Sequence, residues 1–268
     1  MKYKIGKEGE SMIKTVLLTA LGVGGATVVG SLFGFIVKKP SQKFNDITLS
    51  FAAGVMLCAA TLGLIVPSLE MSISSKKIIT ILVTVAGIFI GAISLNLIDK
   101  LVPHLHKMTG VDTEAHPHKT EQLNKVLLFV IAIAIHNLPE GIAAGVSFGS
   151  ENTAHALVIA GGIALQNIPE GMVIIAPMVS SGISKKRTFL IALSTGLIEV
   201  VGTLIGFFAA SISEFILPFA LAFAGGTMLY VISDEMIPET HSHGNERVST
   251  YALLVGFAVM LCFDFLLG

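Results

Sequence analysis

Three glutamates in this chain stand in apolar surroundings where no lysine or arginine can pair with them. Glu140 lies in HNLPEG (His136 to Gly141), Glu170 in QNIPEG (Gln166 to Gly171), and Glu199 in LIEVV (Leu197 to Val201). No Lys or Arg occurs between Lys125 and Lys185, or between Arg187 and Arg247. The carboxylates are therefore either protonated or matched by a cation that the chain does not encode. Their neighbours favour the second reading. On a helix, His136 and Asn137 precede Glu140 by four and three residues and share its face, and Gln166 and Asn167 stand in the same relation to Glu170. Pro139 and Pro169 each remove a backbone donor and disturb the helix one turn earlier, so the carbonyls of Ile135 and Leu165 lose their usual partners. Brought together, the two stretches offer one imidazole, two carboxylates and three amides. Two carboxylates balance one divalent cation, and the added imidazole suits a borderline metal such as zinc better than magnesium or calcium. Glu199, equally without a basic partner, is an additional candidate ligand. One such proline would read as a kink, and one Asn or His as a tie between helices. The pair in succession, each with an unpaired glutamate, argues for a cation site.

The chain that must position these groups has 268 residues, 53% of them hydrophobic and 13% charged. A soluble domain carries about a quarter charged residues. The mean hydropathy is +0.82. Apolar blocks, each near the roughly 20 residues that a bilayer requires, recur eight times, at about 15–37, 47–67, 78–98, 126–148, 154–178, 188–210, 215–236 and 250–267. The expected fold is an all-α integral membrane protein, one transmembrane domain over residues 1–268, with a polar loop at 99–125. The first block is too long for the core of a cleaved signal and lacks a small-residue cleavage site after it, so it reads as a span. A carboxylate ionised at mid-membrane costs about 2.5–3.5 kcal/mol on insertion scales, which is why glutamates in spans four, five and six demand a partner. Backbone freed by proline at that depth is tolerated where it faces protein or a water-filled cavity. Gly22, Gly24, Gly25, Gly30 and Gly34 in the first span, with Gly87 and Gly91 in the third, suit close helix packing. Cys58 and Cys262 lie inside spans and read as packing residues. The net charge of −1 implies no nucleic-acid partner.

HNLPEG followed by QNIPEG in consecutive spans, within an eight-span plan and after a long histidine-containing loop, resembles the ZIP (Zrt/Irt-like protein) family of divalent-metal transporters. The resemblance covers essentially all of the chain beyond the first dozen residues. It implies a non-enzymatic carrier of Zn2+ into the cytoplasm across the cell membrane, with a broader Fe2+, Mn2+ or Cd2+ carrier as the alternative. It implies no organic cofactor, and divalent metal ions, the lipid bilayer and a second copy in a homodimer as partners. It also implies two adjacent metal positions bridged by glutamates. His136, Glu140, Gln166 and Glu170 form the first; Asn137, Glu140, Asn167, Glu170 and Glu199 form the second. Met56 matches a position that supplies a thioether in some relatives. The chain departs from the pattern at three places. Gln166 stands where many relatives have histidine, Asn167 where some have aspartate, and Val200 where many have proline after the sixth-span glutamate. These changes remove a soft ligand and a charge, and they weaken the expectation of strict zinc preference and of a tightly held second cation.

An internal repeat points to the same architecture. FAAGVML (Phe51 to Leu57) leads to Pro67 in span two, and FAGGTML (Phe223 to Leu229) leads to Pro238 in span seven. The span order makes these two helices run oppositely, as it does spans four and five. The expectation is inverted repeats, spans one to three against six to eight, around a central pair, with the ion site at their interface near the midplane.

Basic residues set the orientation. Lys38, Lys39, Lys43, Lys100, Lys107, Lys119, Lys125, Lys185, Lys186, Arg187 and Arg247 fall on one side; Lys2, Lys4, Lys7, Lys14, Lys76 and Lys77 fall on the other. The richer side is the cytoplasmic one, which puts both termini outside. Six of eight histidines then lie in cytoplasmic loops, as the pairs His104/His106, His116/His118 and His241/His243, with Asp112 and Glu114 nearby. They suit transient capture of departing metal as well as a plain solvated loop. Asp234, Glu235 and Glu239 at the end of span seven are placed to line an exit, and His155 reads as a surface residue. An intramembrane metalloprotease would carry His-Glu-x-x-His, which is absent. A channel would use weaker ligation than a nitrogen and carboxylate set provides.

Overall fold

The computed structural model of the chain describes residues 7–37, 40–71, 77–101, 135–150, 152–180, 183–212 and 216–267, and all regular structure among them is helical. The first three helices are α1 (Lys7–Ile36), α2 (Gln42–Cys58, continued by Ala59–Ile65 and Val66–Glu70) and α3 (Lys77–Leu101). Next come α4 (135–147) and α5 (Thr153–Val173, followed past Ile174 by a short Ile175–Ser180 segment). The last three are α6 (Lys185–Ile212), α7 (Leu217–Val231, continued by Ile232–Met236 and Ile237–Thr240) and α8 (Glu246–Leu267). Residues 102–134, which contain His104, His106, His116, His118, Asp112, Glu114 and the start of the fourth span, lie outside the described residues.

Seven of these helices are long and apolar enough to cross a membrane. They reach past the apolar blocks into polar flanks: α1 begins at Lys7 and α7 carries on through Thr240. Hydropathy marks only the lipid-facing length, whereas backbone hydrogen bonding continues wherever a cap permits. Ser41 accepts from the Phe44 amide at 3.2 Å to start α2, and Asn152 accepts from the His155 amide at 3.1 Å to start α5.

Large apolar side chains face outward, among them Leu18, Leu21, Leu82, Phe89, Val201 and Phe208. The interior holds small or polar ones, such as Ala52, Ala53, Ala144, Thr27, Ser31 and Thr203. This distribution suits lipid, where association comes from close packing and internal hydrogen bonds rather than from escaping water. The molecule is a multi-pass membrane protein.

Close helix pairs organise the core. α1 packs on α5 and α6, α2 on α8 and α5, and α3 on α7. Glycine permits the tightest crossings: a Cβ on Gly24 would meet the Gly196 carbonyl at 2.2 Å, and one on Gly196 would meet the Gly24 carbonyl at 2.4 Å. Gly30, Gly34, Gly87 and Gly91 also sit against neighbouring helices, as expected, but Gly22 and Gly25 have no neighbour within 4 Å. Cys58 is buried, while Cys262 is exposed and so is not a packing residue.

The helices of the repeat are opposed in space. Near the start of α2, Asp46 accepts from Asn245, just past the end of α7, at 2.8 Å. Near the end of α2, Ser68 donates to the Pro218 carbonyl at the start of α7 at 2.7 Å. α2 and α7 therefore run antiparallel. Both also widen into a π-helical segment after the repeated motif, Ala59–Ile65 and Ile232–Met236, each followed by its proline. The extra residue per turn accommodates a ring that cannot donate to the carbonyl four residues back. The same offset of 172 residues links α1 to α6, where ATVVGSLFGF (26–35) faces IEVVGTLIGF (198–207).

Candidate metal centre

α4 and α5 form a hairpin that brings the two proline motifs side by side. Each proline is taken into its helix without a break, α5 running through Pro169 and α4 through Pro139. Gln166 Nε2 donates to Glu140 Oε1 at 3.0 Å across the pair. α6 closes on α4 because Gly141 lets the Glu199 carbonyl approach: a Cβ there would lie 2.3 Å from that oxygen. α1 closes on α5 in the same way, Gly171 lying against the Thr27 carbonyl, 2.2 Å from where its Cβ would be. The repeated PEG ending is thus a packing device as well as a carboxylate site. Proline shapes the turn, glutamate points inward, and glycine admits the next helix.

The predicted site residues converge. Asn137, Glu140, Gln166, Asn167 and Glu199 are buried, and Glu170 lies within electrostatic reach of Glu140, Glu199 and His136. Glu199 is bonded at both oxygens. Thr27 Oγ1 donates to Oε1 at 2.6 Å, Asn137 Nδ2 donates to the same oxygen, and Asn167 Nδ2 donates to Oε2 at 2.6 Å. Asn167 Nδ2 also reaches the Val23 carbonyl at 3.3 Å. Four other acceptors have no hydrogen-bond donor: Glu140 Oε2, Glu170 Oε1, Gln166 Oε1 and Asn167 Oδ1. Buried oxygens without a donor are costly in low dielectric, and a hard or borderline cation is one of the few partners that suits four of them together.

His136 has a partner outside this group as well. Its Nε2 lies 2.8 Å from Glu235 Oε1 in the π segment of α7, so it links the α4–α5 hairpin to α7. Coordination through Nε2 requires that nitrogen to give up this contact and its proton. Asp234 accepts from Tyr230 at 3.2 Å, and Glu239 lies 4.0 Å from His243. Met56 is buried in the core among Ala143, Ala144 and Ile163. His155, expected at the surface, is half-buried and lies 3.5 Å from Asp264. Among the described residues no three His, Cys, Asp or Glu side chains are grouped closely enough to hold a metal by themselves. A full coordination shell needs the amide oxygens or a small rotation of the carboxylates.

Sequence reasoning missed Thr27 and the pairing of Glu235 with His136. Thr27 reads as a packing residue in a glycine-rich helix. Its signal was the α1–α6 match, which places it opposite Glu199.

Known proteins are similar to this chain along most of its length. The model of the ZIP zinc transporter family matches residues 106–264. The chain is 39% identical to zinc transporter GufA of Myxococcus xanthus, over 94% of this chain and 98% of that protein. It is 34% identical to zinc transporter ZIPB of Bordetella bronchiseptica, over 97% of this chain and 84% of that protein. It is 29% identical to human zinc transporter ZIP11, over 97% of this chain and 99% of that protein. Paired proline–glutamate helices, the opposed repeats and these likenesses along nearly the full length agree, and the chain belongs to the ZIP zinc transporter family.

Proposed function

We propose that this protein carries divalent transition-metal cations, zinc foremost, across the cell membrane into the cytoplasm, and that the ion passes through the group formed by His136, Asn137, Glu140, Gln166, Asn167, Glu170 and Glu199. The observation that supports this most directly is the set of four buried acceptor oxygens without donors on Glu140, Gln166, Asn167 and Glu170, in helices that contain no lysine or arginine near them. A divalent ion supplies the charge that two facing carboxylates lack, and amide oxygens and an imidazole replace its water. The Lys and Arg distribution favours a cytoplasmic face at the α1–α2, α3–α4, α5–α6 and α7–α8 connections. On that topology the His136–Glu235 contact lies on the inward side of the carboxylates and is a gate that the ion must open.

The oxygen-rich donor set also favours a broader reading. With an amide at Gln166 instead of a second imidazole, manganese loses less relative to zinc. The test is uptake by purified protein in liposomes with competing divalent ions. Glu140→Ala and Glu170→Ala should each reduce uptake to near background at normal insertion. Near-normal uptake by either variant refutes the site. A large ohmic current in place of saturable uptake would make the protein a channel.

A further inference from the structure

We infer that the membrane site of this chain takes one divalent cation, at Glu140 and Glu170, and that Thr27, Asn137 and Asn167 hold Glu199 out of metal binding. The inference rests on the proposed passage of the ion through these residues and concerns how many ions that passage holds.

The two halves of the site differ in what their oxygens face. Glu140 Oε2 and Glu170 Oε1 accept nothing. Both Glu199 oxygens accept, from Thr27 and Asn137 at Oε1 and from Asn167 at Oε2. The amide orientation is dictated: at 2.6 Å from Glu199 Oε2, the Asn167 atom must be the N–H group, since an amide oxygen there would face a carboxylate oxygen. Three donor dipoles thus point their positive ends at Glu199. A cation seated beside it would face those positive ends and would find only the second lone pair of Oε2 unoccupied. Hydrogen bonds to a carboxylate are among the strong ones, so the clamp stabilises Glu199 without a metal.

The placing of charge agrees with the same count. Glu140, Glu170 and Glu199 supply at most three negative charges, with no Lys or Arg in α4 or α5 and only the cytoplasm-side Lys185, Lys186 and Arg187 in α6. Two divalent cations bring four positive charges and leave one positive charge unmatched, while one divalent cation leaves one negative charge, on Glu199, where three donors stabilise it. One divalent cation is balanced by Glu140 and Glu170 while Glu199 is satisfied by its donors.

The internal repeat shows how the clamp is built. At the offset of 172 residues, Gly24 pairs with Gly196, Val28 with Val200 and Ser31 with Thr203, and Thr27 falls opposite Glu199. One half of the pseudo-symmetric site presents a carboxylate and the other presents a hydroxyl that donates to it. Asn167 occupies a place where aspartate would both remove a donor and add the fourth charge. Asn167 and Thr27 are therefore the residues that restrict the count.

The experiment counts bound zinc or cadmium per full-length chain in detergent, by elemental analysis and calorimetry after chelator treatment. The number that matters is the difference between the parent and Glu140→Ala, which cancels metal held by loop histidines. One ion is expected for the parent. Asn167→Asp should raise the difference to two, and Glu199→Gln in that background should return it to one. A difference of two in the parent overturns the inference and leaves the proposed site intact. A difference of one in a folded Asn167→Asp variant overturns the role given to Asn167. No difference at all overturns the site itself. The parent measurement needs no variant of Asn167, so the test holds even if that variant fails to insert.

Discussion

Replacing Gly141 with alanine places a methyl group 2.3 Å from the carbonyl oxygen of Glu199, where ordinary contacts begin at 3.4 Å. The obstacle is backbone, so no rotamer change relieves it, and α4 and α6 must part by roughly 1 Å in a close-packed interior. Overpacking of this kind costs about 1–3 kcal/mol, and the rigid obstacle puts this case near the top of the range. Alanine recovers about 1 kcal/mol in helix propensity, leaving a net loss of about 2 kcal/mol on these two figures. At about 2–4 °C per kcal/mol for a chain of this size, the thermal midpoint in detergent should fall by about 4–8 °C. Zinc uptake should fall with it, because Glu140 is the neighbour of Gly141 and is displaced relative to Gln166 and Glu170. Gly22→Ala is the matched control: no atom lies within 4 Å of its Cβ position, so it should hold or slightly raise the midpoint. The assay is dye- or fluorescence-monitored unfolding of both variants in one detergent, alongside liposome uptake. A Gly141→Ala protein as stable and active as the parent would show that α4 and α6 do not approach as described. Equal losses in both variants would show that the cost comes from the glycine itself and not from the contact.

Gln166→His should tighten zinc binding and slow its release, because imidazole is the better zinc ligand; competition between zinc and manganese in liposomes reads the shift. Since imidazole must lose its proton to bind, that variant should respond more steeply to acid near a pH of about 6.5, and identical selectivity and acid response would make Gln166 a packing residue. Replacing His104, His106, His116 and His118 together with serine should change rate or apparent affinity only modestly, as these residues fall in a polar loop of the sequence; abolished uptake at normal expression would place an essential site there. Asp46→Ala removes the shared acceptor of Gln42, His243 and Asn245 and should cost about 1–3 kcal/mol for the donors left behind, read as a lower thermal midpoint; an unchanged midpoint would mean that this junction between α2 and the α7–α8 turn contributes nothing.

The readable part of this protein was its chemistry. Glu140, Glu170 and Glu199 announced themselves because charge without a partner is rare in an apolar block, and the structure brings all three together. The proline–glutamate–glycine ending marked where a carboxylate and a close helix approach fall together. Thr27 stayed hidden because a hydroxyl in a helix ordinarily bonds its own backbone, as Ser31 and Thr203 do here. Its tie to Glu199 spans 172 residues and depends on how α1 crosses α6. The partnership of His136 with Glu235 was invisible for a similar reason: both were noticed, but nothing in their spacing says that a π segment turns one towards the other. Cys262 was misjudged because lying within a span says nothing about which face a residue occupies.

The π segments carry a consequence for how the chain tolerates change in length. Each wide turn shifts the phase of everything after it, so the stripe that α2 buries before Ala59 and the one that it buries after Ile65 are not continuous in register. Removing one residue from Ala59–Ile65 would let regular winding keep nearly the present phase, whereas regular winding with every residue kept would make the isolated helix better formed. The latter would also swing Ser68 by about 100° around the axis, away from Thr84 and the Pro218 carbonyl that it now bonds at 2.8 and 2.7 Å. Local order and global fit are opposed at this point. The irregular turn is kept because the seam with α7 is cut to its phase, and the matching irregularity in α7 keeps the two antiparallel helices of the repeat in step.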